Sequence, residues 1–471
     1  MKFTKKYWHK IGTFGKFKIS PRSSFREQLR YFYNMNWSQL LSSTRLGSIS
    51  SANKAERSNF EADYDRIIFS YPFRRLQDKT QVFPLPEQDF VHNRLTHSLE
   101  VSSVGRTLGK RAGEKIIDRH SLTGITANDF GTIVSAAALA HDVGNPPFGH
   151  SGEESISSYF QRMGKGSWLE ENCSKEEWAD LKSFEGNAQG FRLINQKEQG
   201  LTLTYATLGA FTKYPKRSSN PKVAGQVSQN KFGFYQSEQA VFETVAKELG
   251  LHKLGEASYT RHPLAFLVEA ADDICYNIID LEDGCTLGLI SIDETIELLK
   301  PIVGERFDAE KLAEKKFLHE KLGTLRALAI NELINQSVEV FLANEEAMLK
   351  GDFDTSLTNL IPAAEALSSI RKISVKKIYR AQIVVEKEVA GYEVLNGLLE
   401  ILMGSLIGHL KGEPTKYHKM IRRILPDFIQ EAVDKPAYEA TRVMLDYISG
   451  MTDKHALTSY RKLKGMVLPS W

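Results

Sequence analysis

An all-α fold is predicted, on three observations. Apolar residues recur at three- and four-residue spacing through most of the chain after residue 88, alternating strand-like runs are few, and short polar breaks separate the periodic segments. The first clear segment is Ser98 to Ile117, with Val101, Val104 and Leu108 on one stripe. Thr132 to His141 follows, apolar almost throughout and stopped by Gly144 and the pair Pro146 and Pro147. Pro263 to Leu281, Leu325 to Leu342, Val389 to Leu410 and Pro436 to Ile448 complete the set. Thr80 to Phe83, bounded by Pro84 and Pro86, is a strand or extended connection that leaves the class unchanged. Residues 215–237 are polar and rich in Lys, Ser, Asn and Gly, and read as a long loop of the kind that is functional or mobile. With no internal repeat, the expected organisation is a basic N-terminal arm over residues 1–59, a helical core over 60–300 and a C-terminal helical region over 301–471 packed on that core.

The chain has 471 residues, 42% of them hydrophobic and 25% charged, which is ordinary globular composition and excludes collagen-like, low-complexity and disulfide-scaffold proteins. No stretch approaches the roughly 20 uninterrupted apolar residues that cross a bilayer, and the basic N-terminus lacks the apolar core of a signal peptide. A cytoplasmic location with no membrane contact is expected. Three cysteines, Cys173, Cys275 and Cys285, have no C-x-x-C spacing and fit reduced thiols. The formal charge is only +3, yet residues 1–30 hold nine Lys or Arg against the single acid Glu27, interleaved with Phe3, Tyr7, Trp8, Phe14, Phe17 and Phe25. Such an arm suits single-stranded nucleic acid; docking of its aromatics on the body or on a neighbouring subunit is the plainer alternative.

Phosphate-loop and dinucleotide glycine motifs are absent. The nearest approach, Gly105 to Lys110, is one residue short and lies within a helical pattern. A dispersed set of His and Asp residues stands out instead: Arg94-Leu-Thr-His97, His141-Asp142-Val-Gly-Asn-Pro-Pro-Phe-Gly-His150, and Asp272-Asp273-Ile-Cys-Tyr276. His97 precedes an apolar stripe and should face inward, as a core residue or a ligand. His141 and Asp142 end an apolar helix, where both side chains can turn towards one ion. An imidazole and a carboxylate are good ligands for divalent transition metals, and a cation would offset the penalty of burying Asp142. Asp272, Tyr276 and Asp280 recur at i, i+4 and i+8 and share a helix face, which would otherwise be a solvated acidic edge.

These residues resemble the H…HD…D signature of HD-domain phosphohydrolases. Taken with FEGNAQG (184–190), TKYP (212–215), FRRLQDKTQVFPL (73–85) and GMTDKHAL (450–457), the sequence is similar to the deoxyguanosinetriphosphate triphosphohydrolase family over roughly residues 55–465. The resemblance implies an HD-domain helical core with extra C-terminal helices. It also implies one divalent metal, Mn, Mg, Fe, Co or Ni, on His97, His141, Asp142 and Asp272. His150 and Glu153 match the family's catalytic histidine and its carboxylate partner; their plainer reading is a helix first turn capped by Ser151, and the two can coexist. Arg94 and Lys213 match its triphosphate-binding positions, and Lys216, Arg217, Lys222 and Lys231 add charge nearby. Tyr276 and Asp280 resemble its sugar contacts, Gln77 a base or sugar contact, and Asn187 a pocket residue. The implied reaction converts a deoxynucleoside triphosphate, dGTP first, to deoxynucleoside and tripolyphosphate. A homo-oligomer, to a hexamer, is the implied assembly. The rivals are another HD phosphohydrolase acting on a monophosphate or cyclic nucleotide, and a nucleotide sensor or strand-binding protein with a vestigial site.

Overall fold

The computed structural model describes residues 34–47, 57–84, 91–196, 199–223 and 225–468; the basic stretch 1–30, and with it the expected nucleic-acid surface, lies outside them. The described residues are predominantly helical. Helix α1 (Asn59–Ile68) begins at a Ser58/Glu61 capping box, α2 (Arg94–His120) at an Asn93/Thr96 box and α3 (Ala127–Ala140) at a Thr126/Asp129 box, so side chains satisfy the first free N–H groups of each. Next come α4 (Gly149–Arg162), α5 (Gly186–Asn195) and α6 (Tyr205–Phe211). Helix α7 (Pro263–Thr286) starts with Pro263 in its first turn, where a missing N–H does no harm. Helices α8 (Leu318–Ala343), α9 (Gln382–Leu410), α10 (Ala437–Ser449) and α11 (Asp453–Leu463) close the chain. Each periodic segment of the sequence is a helix whose ends differ by up to seven residues, with His141 and Pro436 falling just outside as caps.

Strands β1 (Lys253–Gly255) and β2 (Ser258–Tyr259) form an antiparallel pair, the one sheet among the described residues. Thr80 makes a single antiparallel bridge to Asn93 and Thr80 to Phe83 is no strand. Residues 215–223 and 225–237 are without α-helix, and short 3-10 turns lie at Val227–Gln229 and Gln236–Glu238. Lys216, expected beside a triphosphate, is instead 2% exposed and donates to the carbonyls of Asn220 (3.3 Å) and Pro221 (2.9 Å). Its ammonium stabilises the loop from inside.

Helices α2 and α3 pack at very close range. A Cβ at Gly109 would sit 2.7 Å from the Phe130 carbonyl, so the glycine spacing that imitates a phosphate loop is a helix-packing seam. Helix α7 lies against both, and α8 covers α2 and α7. This group shares one apolar cluster running from Met35 to Val384, while a second, from Phe148 to Ala456, joins α4 to α9, α10 and α11. The two clusters interleave in sequence, because residues 148–184 of the second return the chain to the first. Helix Gln382–Leu410 is long and apolar enough to cross a membrane by length and composition, although polar residues interrupt its apolar run. Half of its most apolar window is buried in the protein, with Leu395, Leu398, Leu402 and Leu406 in the second cluster.

Candidate active site

Three mutually packed helices converge their polar residues at one point. His97 lies in the first turn of α2, His141 caps the C-terminus of α3 with Asp142 next to it, and Asp272 lies midway along α7. The imidazole Nε2 of His97 is 3.2 Å from Asp272 Oδ1; that of His141 is 3.6 Å from the same oxygen and 3.5 Å from Asp142 Oδ1. Ligand atoms of His97, His141 and Asp142 all lie within 4.8 Å of one another. His141 donates from Nδ1 to the Ala138 carbonyl at 2.6 Å, which orients the ring with Nε2 towards the cluster.

Asp142 is 7% exposed; its Oδ1 accepts from Arg94 at 2.8 Å, while its Oδ2 is buried without a hydrogen-bond partner. An orphaned carboxylate oxygen is destabilising by about 1–3 kcal/mol. Burial would push the Asp142 and Asp272 carboxyls up, but Arg94, His141 and His97 beside Asp142, and His141 and His97 beside Asp272, hold both below the ordinary range. Two imidazoles, two carboxylates kept ionised and one vacant buried oxygen form a donor set that a divalent cation fits. The protein has a candidate metal centre there.

His150 and Glu153 stand one turn apart at the start of α4. Helix α4 begins at Gly149, two residues before the expected Ser151 cap; Phe148 occupies the cap position in a left-handed conformation (φ 60°) and Ser151 is helical. The His150 side chain is 84% exposed, with Nδ1 3.0 Å from Glu153 Oε2. The other oxygen, Oε1, accepts from the Gly186 backbone at 2.7 Å. Burial opposes ionisation of Glu153, yet His150, Lys231 and the Gly186 N–H outweigh it and keep the carboxyl below its usual value. Lys231, from the loop, pairs with Glu185 at 3.2 Å, and Glu185 also accepts from the Asn187 amide at 2.7 Å.

Lys213 Nζ lies 3.2 Å from Glu269 Oε1, whose other oxygen accepts from Arg261 at 2.8 Å. Burial opposes the lysine charge, but Glu269 overrides it and Lys213 stays protonated. Tyr276 stacks on Tyr379 at 5.7 Å between centroids, and Tyr379 donates to Asp280 Oδ2 at 2.7 Å. Asp280 is 2% exposed, and burial pushes its carboxyl up to about 7 against the opposing Tyr379 bond. Gln77 is exposed on a short 3-10 turn and, among the described residues, makes no hydrogen bond to another site residue. Asn187 is committed to Glu185. Glu269, Glu185 and Tyr379 were not singled out in the sequence; Glu185 has a signal there in lying within the FEGNAQG segment, and Glu269 in standing one turn before Asp272 on the same helix.

The HD domain family matches residues 94–177 and the Phosphohydrolase-associated domain matches residues 362–462. Over 454 residues the chain is 42% identical to a deoxyguanosinetriphosphate triphosphohydrolase-like protein of Synechocystis sp., covering 92% of this chain and 100% of that one. A protein of the same description from Pseudomonas aeruginosa is 40% identical over 448 residues, with 93% and 100% covered. A deoxyguanosinetriphosphate triphosphohydrolase of Enterobacter sp. is 31% identical over 482 residues, with 86% and 93% covered.

Proposed function

The chain belongs to the deoxyguanosinetriphosphate triphosphohydrolase family of HD-domain phosphohydrolases, and from that premise we propose that it hydrolyses a deoxynucleoside triphosphate, dGTP first, to deoxynucleoside and inorganic tripolyphosphate. The observation that carries this reading is the cluster of His97, His141 and Asp142, with the orphaned Asp142 oxygen, which Asp272 joins through both imidazoles; a His150–Glu153 pair opens the helix that follows it in the chain. Those four side chains would hold one divalent ion, which when bound supplies Lewis-acid polarisation of a phosphoryl oxygen and acidifies water. Mn, Mg, Fe, Co and Ni all suit such a mixed nitrogen and oxygen set.

In this reading water attacks the α-phosphorus and gives up a proton, the bond from phosphorus to the 5′ oxygen breaks, and that oxygen takes up a proton. Glu153 holds Nδ1–H of His150, so Nε2 is the nitrogen that moves the proton at the leaving 5′ oxygen. Lys213, kept charged by Glu269, and Arg94 neutralise the triphosphate. The Tyr276 ring packs against the deoxyribose and excludes a 2′-hydroxyl, with Asp280 accepting from the 3′-hydroxyl. Gln77 as a base or sugar contact and Asn187 as a pocket residue rest on the family resemblance alone. A homo-oligomer, to a hexamer, belongs to the same reading and rests on the family alone; a light-scattering mass checks it. The test of the reaction is product identity with dNTPs and Mn or Mg. Tripolyphosphate and deoxynucleoside are expected; pyrophosphate or orthophosphate without tripolyphosphate rejects the assignment in favour of another phosphohydrolase reaction.

A further inference from the structure

The loop from His141 to Phe148 carries two metal-ligand candidates at its start and leads into His150 in the first turn of α4, and it rests on the turn between α10 and α11. Lys79, 2% exposed, donates through Nζ to the carbonyls of Asn145 at 2.6 Å and Ser449 at 2.7 Å. Asp453, also 2% exposed, accepts from the Phe148 backbone N–H at 2.9 Å, from the Thr80 N–H at 3.0 Å, and from the Thr80 hydroxyl. Arg75 adds a bond to the Gly450 carbonyl at 3.1 Å. A segment more than 300 residues along the chain from the loop thus holds its backbone in place.

Phe148 is the critical residue in that loop. A bulky side chain at φ 60° is strained, and such a conformation persists only where surroundings over-determine it. Two contacts do so. Asp453 fixes the amide, and the ring is buried against α9 at Gly391, where a Cβ would lie 2.5 Å from Phe148 Cγ. No side chain caps α4, so the consecutive left-handed residues Phe148 (φ 60°) and Gly149 (φ 57°) set where the first turn starts and where His150 projects, and of the two only Phe148 carries a side chain that strains the conformation.

We propose that Asp453 is a positioning residue for His150: its hydrogen bond holds Phe148 in the left-handed conformation from which α4 aims the imidazole at the reacting phosphate. The inference rests on the role given to His150 under the proposed function. It also gives the Phosphohydrolase-associated region, which contains both Asp453 and Gly391, a specific hold on the HD site. A purely structural carboxylate would lower stability, and its effect on rate would be independent of His150.

The test is a double-mutant cycle of Asp453→Asn with His150→Ala on the full chain, read as kcat and KM for a dNTP with metal content measured alongside. Asn retains the size of Asp453 but presents N–H groups to a site lined by donors. We expect Asp453→Asn to keep its metal and its KM while kcat falls on the order of 10- to 100-fold, the range for about 1 Å of misplacement. In the His150→Ala background the same substitution should change residual kcat by less than about twofold, because the two act as a unit. Wild-type kcat in Asp453→Asn, or the same fold loss with and without His150, overturns the proposal and leaves the assignment of His150 standing. An unchanged kcat in His150→Ala alone overturns that assignment and the proposal with it. Should Asp453→Asn not fold, Gly391→Ala, which presses on the Phe148 ring from the opposite side, is measured in the same two backgrounds with the same outcomes deciding.

Discussion

Replacing Glu153 by Gln tests the proton-transfer pair most sharply, because the carboxylate serves two donors at once. Its Oε1 accepts from the Gly186 N–H at 2.7 Å and its Oε2 faces His150 Nδ1 at 3.0 Å. An amide has one carbonyl oxygen. The backbone donor of Gly186 is fixed, so the Gln oxygen satisfies it and the NH2 group turns to His150, forcing Nδ1 to accept and moving the proton to the other nitrogen. His150 then loses both its tautomer and the negative charge that supports an imidazolium. Positioned acid–base groups contribute about 10²- to 10⁴-fold, and the lower end is expected because the imidazole keeps its place. A loss of about 100-fold in kcat corresponds to about 2.7 kcal/mol at about 1.36 kcal/mol per factor of ten. KM should hold, since Glu153 faces the histidine and a backbone amide. The assay is steady-state tripolyphosphate release from dGTP at saturating metal, with circular dichroism to confirm the fold. A kcat within about threefold of wild type would refute the reasoning.

Glu269→Gln should raise KM for the triphosphate about tenfold with a smaller effect on kcat, because Lys213 loses the carboxylate that anchors it and a charge-assisted bond is worth about 1.5–3 kcal/mol; an unchanged KM would remove Lys213 from the binding site. Gly144→Ala should destabilise the fold by about 3 kcal/mol or more in urea unfolding, because the new Cβ would lie 2.0 Å from the Gly190 backbone nitrogen and 2.1 Å from the Gly186 carbonyl, neither of which can swing away; a wild-type midpoint would contradict the close approach. His262 caps α7 as a neutral ring, Nδ1 accepting from Leu264 N–H and Nε2 donating to the Leu40 carbonyl, and burial pushes it down to about 4 against the opposing Leu40 bond. The unfolded chain takes up the proton first as pH falls. Its contribution to stability is therefore full above pH 6.5 and is lost as pH falls from 6.5 to 4, a loss of about 3 kcal/mol. Unfolding free energies of wild type and His262→Gln should converge by that amount across the window, and parallel curves would refute the assignment.

The six helices α2, α3, α7, α8, α9 and α10 were legible because apolar residues recur along them at three- and four-residue spacing, and α2, α3 and α7 alone suffice to bring the ligand candidates together; α1, α5, α6 and α11 were not read from the sequence. That His97, His141, Asp142 and Asp272 come together was legible because residue type and family motif point to the same four positions. Their partners were not. Glu269 is one acid among several on α7, and nothing local says that it faces Lys213 and Arg261. Lys216 and Lys231 look alike in the sequence of one basic loop, yet the first is buried against that loop's own carbonyls and the second pairs with Glu185 beside Glu153. Ser151 has the residue type of a cap, but the helix starts earlier because Phe148 takes a left-handed conformation that depends on Asp453 and Gly391, contacts made more than 200 residues away. Local pattern specifies elements and ligand types; charge placement and strain come from tertiary contacts that no local window contains.

The most direct measurement of the whole account is elemental analysis of the purified protein before and after Asp272→Ala. The wild type should bind about one divalent ion per chain, the two-imidazole, two-carboxylate stoichiometry, and lose turnover on chelation with recovery on adding Mn or Mg, while Asp272→Ala should lose both ion and turnover yet keep its helical fold. Full turnover in a metal-free wild-type protein, or an Asp272→Ala variant that retains both, would contradict it.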